Sequence, residues 1–260
     1  MAPVSTIETF EEAQEIFLQK IKEDPRLKPV AAKKLLDLAK ELDASTEEKL
    51  GDLSLQLPAE ERIKQGFLKF KNNFWLKNPK LYEKLSAGQS PKFMIFACSD
   101  SRVCPTTILG LQPGEAFVVR NIASMIPACG EAGFPSTSAA LEYGVLHLKV
   151  EHILVIGHSR CGGIKALLTT DPEKKWSDYI QDWIKISTPV HSNQNHSHDI
   201  DERCSCGEKE SVNVSLSNLM TFPWIKSAVE EKKLALHGGH YSFVTGTFQY
   251  WTPGSDKVDF

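Results

Sequence analysis

The chain has 260 residues, 41% of them hydrophobic and 24% charged, with 16 Gly and 14 Pro. These are ordinary globular values that exclude wholesale disorder, collagen-like repetition and a mini-scaffold dependent on disulfide staples. Thirty Lys and Arg against 33 Asp and Glu leave a formal charge of -3, too balanced for a protein that grips a phosphate backbone, so nucleic acid is not expected as a partner. The longest apolar run, Phe93 to Cys98, falls far short of the roughly 18 residues of a membrane helix, so no membrane partner is expected either.

The N-terminus is crowded with Glu8, Glu11, Glu12 and Glu15, which fits neither a cationic secretory signal nor an acid-poor transit peptide. Six cysteines are too sparse for a disulfide scaffold, and together these features point to a reducing compartment. The expected location is the cytoplasm, with the chloroplast stroma as the alternative if a transit peptide has been removed.

In chain order, residues 7 to 23 and 29 to 42 carry helical periodicity, the first through Ile7, Phe10, Ile16, Phe17 and Ile21, the second through Leu35, Leu36, Leu38, Ala39 and Leu42. Pro25 and Pro29 separate them, and a polar linker follows to Pro58. Residues 1–58 thus read as a helical arm and linker whose apolar faces need a partner. Residues 59–260 read as the catalytic domain, opening with a helix over 59–76 on Ile63, Phe67, Phe70, Phe74 and Trp75.

From Lys92 the texture changes. Phe93 to Ala97, Ala116 to Val119 and His152 to Ile156 read as buried parallel strands, alternating with helical stretches at Ser136 to Leu148 and from Gly163. The fold class is α/β, a mostly parallel central sheet flanked by helices, with an N-terminal helical arm. His191 to Glu210 has the composition of a loop or a short interrupted helix, Val212 to Leu219 resumes helix character, and His240 to Trp251 alternates as one late strand.

Two strand ends carry the chemistry. Cys98-Ser99-Asp100-Ser101-Arg102 follows the first strand and Gly157-His158-Ser159-Arg160-Cys161-Gly162-Gly163 follows the third. Ligands of open parallel sheets gather outside the carboxyl ends of the strands, so neighbouring strands would bring Cys98, His158 and Cys161 around one point. Two thiolates and one imidazole suit zinc, and three protein ligands leave a fourth tetrahedral position open, as reactive sites require.

The runs CSDSR, QPGEAFVVRNIA, EYGVLHLKV, GHSRCGG, VNVSLSNL and LALHGGHY, in this order, resemble the β-class carbonic anhydrases, and within them the plant-type branch, from about Gln89 to Phe248. The resemblance implies one zinc per chain on Cys98, His158 and Cys161, and reversible hydration of carbon dioxide to bicarbonate and a proton by zinc-bound hydroxide. It further implies an orienting dyad of Asp100 and Arg102, Gln89 as a donor to the substrate, and a pocket of Phe117, Ile122, Tyr143 and Gly162. A homodimer is implied as the minimal unit, with larger homo-oligomers in the plant-type branch. Tyr143 and His147, four apart on a helix, share a face and would relay the discarded proton. Two thiolates formally cancel the metal's charge, so the rate is expected to climb through alkaline pH. Arg160 and the segment Ala128 to Ser138 depart from the plant pattern; Arg160 would alter the charge at the rim or pair with a nearby carboxylate.

The sequence also admits four rival readings. Gly157-His158-Ser159-Arg160-Cys161 nearly matches a hydrolase nucleophile elbow, which would enlist Ser159 with His237 or His240 but leaves Cys98 and Asp100 idle. His191, His196, His198, Cys204 and Cys206 have the composition of a second metal site, but their spacing matches no standard zinc module, and a solvated loop is expected. The same fold would also serve a carbonyl sulfide or carbon disulfide hydrolase, or a zinc-containing binding module without catalysis.

Overall fold

The computed structural model describes residues 10–24, 27–29, 31, 34, 57–131, 133–171, 174–193 and 199–260, with backbone alone for 10–14 and 191–193. Most of the second arm helix, the linker to residue 56, Ile7, His196 and His198 lie outside the described residues, as do the side chains of Phe10 and His191. The chain divides into two compact units, residues 1–82 and 83–260.

In the first unit, α1 spans Phe10–Glu23 and α2 spans Ala59–Phe70. Glu60 and Glu61 in the first turn of α2 and Lys69 in its last oppose the helix dipole, and a wider turn carries it through Lys71–Trp75. The sequence reading placed this helix at the head of the catalytic domain, whereas here it belongs to the first unit. Its aromatic side chains pack among themselves, with Phe70 stacked on Phe74 and edge-on to Tyr82.

Across the boundary and into the second unit run α3 (Pro79–Ala87), α4 (Pro105–Ile108), α5 (Pro135–Glu142), α6 (Gly162–Thr169), α7 (Ile180–Ile184), α8 (Ile200–Leu219) and α9 (Pro223–Glu230). The strands are β1 (Phe93–Cys98), β2 (Ala116–Asn121), β3 (His152–His158), β4 (Ala235–Ser242), β5 (Thr247–Trp251) and β6 (Val258–Asp259). They form one sheet in the order β2-β1-β3-β4-β5-β6. The first four are parallel, and β5 and β6 add antiparallel at one edge.

Strand alternation assigns the core. Met94 and Phe96 join Ile153 and Val155 on one face, against Leu141, Leu216, Leu219 and Ile225. Ile95, Ala97, Leu154 and Ile156 form the other face, under Leu109, Leu111, Val118 and Phe248. Both faces are covered, which is why these strands read as continuous apolar runs. Truncating Phe96, Leu141 or Leu219 to Ala would cost about 2–5 kcal/mol, because packed neighbours do not close over the void.

Two expectations are corrected. The segment 191–210 is not all loop: α8 begins at Ile200, capped by the Asp199 carboxylate, which accepts from the Asp201 N–H at 2.9 Å. Its buried stripe over this stretch is Cys204, Gly207, Glu208 and Ser211, small or polar groups that hide a helical period from any apolar pattern. The expected single late strand is a hairpin, β4 and β5, closed by Gly246 N–H donating to the Ser242 carbonyl at 2.7 Å. A Cβ on Gly238 would fall 2.4 Å from Trp251 and one on Gly239 2.6 Å from Phe248. The aromatics of β5 thus occupy the space that β4 leaves bare, and β4 shows no alternation to read.

Candidate metal centre

The strand order reverses at β1, which lies between β2 and β3. A crevice opens outside the carboxyl ends of strands at such a point. Ala97 pairs with Ile156, so Cys98, ending β1, and His158, ending β3, emerge as neighbours. Cys161 caps α6 at its N-terminus. The donor atoms of Cys98, His158 and Cys161 all lie within 4.8 Å of one another, and all three residues are buried.

Local bonding prepares each donor. His158 Nδ1 donates to the Ser159 carbonyl at 2.9 Å, which leaves Nε2 as the bare, ligating nitrogen. That Nε2 is buried and finds no hydrogen-bond partner among the described residues, an arrangement that would cost stability in a group meant only for packing. Cys98 Sγ accepts from the backbone N–H groups of Asp100 at 3.4 Å and Ala123 at 3.3 Å. The Cys161 thiol, donating to Cys98, pulls the Cys98 thiol well below the usual thiol range against its burial; the same contact, with burial, pushes Cys161 up. A divalent cation relieves that competition by taking both as thiolates. Two sulfurs and one imidazole nitrogen in a dry pocket fit zinc with an open coordination position.

Beside the cluster, Arg102 grips Asp100 with both arms, Nε to Oδ1 at 2.9 Å and Nη2 to Oδ2 at 2.6 Å. The Arg102 guanidinium, through these bonds, holds the Asp100 carboxyl well below the usual carboxylate range. Asp100 therefore rests on Arg102 rather than in the donor cluster.

The carbonic anhydrase family model matches residues 93–248. The chain is 47% identical over 226 residues to β carbonic anhydrase 3 of Arabidopsis thaliana, with 84% of this chain and 83% of that protein covered. The chain belongs to the β-class carbonic anhydrases. Among solved structures, the β-carbonic anhydrase CcaA shares 32% identity at a TM-score of 0.71, covering 76% of this chain and 91% of that one. A β-carbonic anhydrase of Sordaria macrospora, described as tetrameric, shares 32% identity at a TM-score of 0.62 over 75% of this chain and 98% of its own.

The protein is thus a zinc lyase that interconverts carbon dioxide and bicarbonate, and the sulfide hydrolase and the inert module find no support. The elbow reading finds none either. The left-handed residue of that turn is Arg160, at φ 54°, and Ser159 Oγ accepts from the Phe243 N–H at 3.1 Å. His237 is held by His152 and Tyr250, and His240 by Glu208. Among the described residues the Cys98, His158 and Cys161 group stands alone as a metal-ligating cluster; Cys204 is buried and Cys206 exposed.

This carbonic anhydrase spreads its other expected site residues unevenly. Ile122 directly follows β2, and a Cβ on Gly163 would meet Ile122 Cγ2 at 3.1 Å and Ala123 Cβ at 2.9 Å, so both belong to the metal end. A Cβ on Gly162 would meet open space. Phe117 pairs with Met94, four residues before Cys98, roughly 13 Å back along the strand at about 3.3 Å per residue. Its ring meets Tyr143 at 5.8 Å, and Tyr143 meets His147 at 5.7 Å. Gln89 precedes β1 and His147 precedes β3, so these four gather toward the opposite end of the strands.

Three supports escaped the sequence. Arg120 donates from Nε to the Cys98 carbonyl at 2.9 Å and from Nη2 to the Asp100 carbonyl at 2.7 Å, strapping the loop. Phe243 lies under Arg102, the guanidinium carbon 4.3 Å from the ring centre. Glu208 accepts from the Cys161 N–H. Arg120 lay inside a quoted run, yet only strand pairing shows which loop it reaches. Among the described residues Arg160 makes no ion pair, and its carbonyl accepts from Arg102 Nη2 at 3.3 Å.

Proposed function

We propose that Asp100 and Arg102 orient the attacking oxygen during carbon dioxide hydration, and that the apolar half of the pocket comes from a second copy of the chain. The observation that carries this reading is the bidentate Asp100–Arg102 pair set beside three convergent, buried metal donors. Bound zinc supplies a Lewis acid that lets water lose a proton within reach of ordinary pH.

The chain's own groups do the rest. The Asp100 carboxylate, ionised throughout the working range, can only accept a hydrogen bond, so it receives the remaining proton of the nucleophile and turns a lone pair toward the substrate carbon. Arg102 keeps that carboxylate from turning onto the metal, and is itself pinned by Phe243 and the Arg160 carbonyl. Carbon dioxide is apolar, and Ile122, 42% exposed in one chain, gives it a dry wall. One water and one carbon dioxide become bicarbonate and a proton; His147, at the opposite end of the strands, relays that proton to bulk solvent when a second copy brings it to the metal end.

Within one chain Phe117, back along β2, and Tyr143, against its ring, lie too far from the metal donors to wall the same pocket, and Tyr143 is 46% exposed. A homodimer that seats Gln89, Phe117 and Tyr143 of one copy over the metal end of the other reconciles the pocket expected from family resemblance with this placement. The Sordaria relative, described as tetrameric, supports self-association. All six cysteines are free, which supports a reducing compartment, the cytoplasm or the chloroplast stroma. The test is stopped-flow hydration with zinc content and light-scattering mass on one sample. An active dimer or larger assembly with about one zinc per chain is expected; a fully active monomer would refute the shared pocket.

A further inference from the structure

Behind the metal centre lies a buried acid that the reaction does not use. Glu208 projects from α8 and is 3% exposed; His240, on β4, is 5% exposed. Glu208 Oε1 accepts from the backbone N–H of Cys161 at 3.1 Å, and Oε2 lies 3.0 Å from His240 Nε2. A carboxylate acts only as an acceptor, so the histidine ring donates. Both oxygens are satisfied, and each bond crosses between elements far apart in sequence.

Such a pair is an expensive way to fill a core, because apolar residues of like volume usually stabilise as well or better. The packing around it is also specific. Gly157, immediately before His158, sits against it: a Cβ there would fall 2.9 Å from the Glu208 carbonyl oxygen and 3.6 Å from His240 Cδ2. Substitution at Gly157 would thus push α8 away from the end of β3. The strand end that offers His158 and the N–H of Cys161 are therefore both referenced to one residue of α8.

We propose that Glu208, held by His240, is a positioning residue for the Cys161 thiolate: its charge fixes the Cys161 backbone so that the sulfur stays aimed at the metal. This rests on Cys98, His158 and Cys161 being the zinc ligands, a reading tested separately by the zinc content of the wild-type enzyme. Groups that orient metal ligands typically change metal affinity by about 10–100-fold when removed.

The experiment uses full-length enzyme in its zinc and cobalt(II) forms. Zinc release to a chromogenic chelator and the cobalt thiolate charge-transfer band are measured for Glu208→Gln, Glu208→Ala and Leu219→Ala. The last truncates a fully buried side chain on the same helix and controls for general loss of stability. Glu208→Gln is isosteric and keeps an acceptor while losing the charge. Expected are zinc release about 3–10-fold faster with a shifted cobalt band for Glu208→Gln, about 10–100-fold faster release for Glu208→Ala, and wild-type release and band for Leu219→Ala. Wild-type release and spectrum in Glu208→Gln would overturn the proposal whether or not Glu208→Ala folds. So would equal acceleration in Leu219→Ala, since the effect would then be stability alone. Absence of zinc from the wild-type enzyme would instead defeat the ligand assignment.

Discussion

The two ends of the parallel strands are built differently. At the carboxyl ends, Cys98, His158 and Cys161 are buried, with backbone N–H groups donating to the Cys98 sulfur, the His158 ring donating from Nδ1 to the Ser159 carbonyl, and Arg120 strapping the loop. At the other end, Tyr143 and Leu146 are exposed and Phe117 is half-buried, its ring against that of Tyr143. One chain thus completes a metal centre but leaves the aromatic half of a pocket on its surface. The contrast separates holding the metal, a task of one chain, from enclosing the substrate, which the proposed homodimer assigns to two.

The largest expected effect breaks the metal end alone. Cys161→Ser should lose zinc and lower kcat/KM by about 10³-fold or more, since the hard hydroxyl replaces a thiolate ligand; Ser159→Ala should keep both. Metal analysis and stopped-flow hydration check the pair. Zinc retained in Cys161→Ser, or lost in Ser159→Ala, would reverse the assignment.

Next is Arg102→Ala, which releases Asp100 to swing onto the metal. Zinc content should hold while kcat/KM drops by about 10²–10³-fold, the scale at which an oriented electrostatic group contributes. The pH profile sharpens this. Because Arg102 depresses the Asp100 pKa, the pair's contribution is fully present above the ordinary carboxylate range and disappears only as pH falls through the lowered value. The wild-type rate should therefore climb through alkaline pH with no inflection from Asp100 near neutrality. A carboxylate inflection between about pH 5 and 7 would show that the pair does not hold in solution.

At the opposite end, Tyr143→Ala should keep a full complement of zinc yet lower kcat/KM about 10-fold and weaken self-association, as seen by light scattering. Loss of zinc in that variant would erase the distinction between the two ends. The smallest effect is His147→Ala: kcat should fall a few-fold in dilute buffer, kcat/KM should hold, and imidazole should restore the rate, as general acid–base rescue requires.

Legibility in the sequence followed chain distance. β1 and β3 read as strands because both of their faces are covered, and the donors stood out because Cys98 and His158 close those strands. Parallel pairing at a strand-order reversal then supplied the convergence. The Glu208–His240 pair could not be read, since its residues are linked only through α8 crossing β3 and β4, and its helix carries Cys204, Gly207 and Ser211 where apolar residues would have announced a buried face. The β4–β5 hairpin was hidden for a related reason, because Gly238 and Gly239 cede their space to Trp251 and Phe248. The uneven placement of Phe117 and Tyr143 was invisible because motif order says nothing about position along a strand.

Zinc K-edge absorption on the full-length enzyme tests the central claim most directly. Two sulfur scatterers at about 2.3 Å and one imidazole nitrogen at about 2.0–2.1 Å, completed by one light atom, are predicted. A shell of nitrogen and oxygen alone, or one with four sulfurs, would contradict the account.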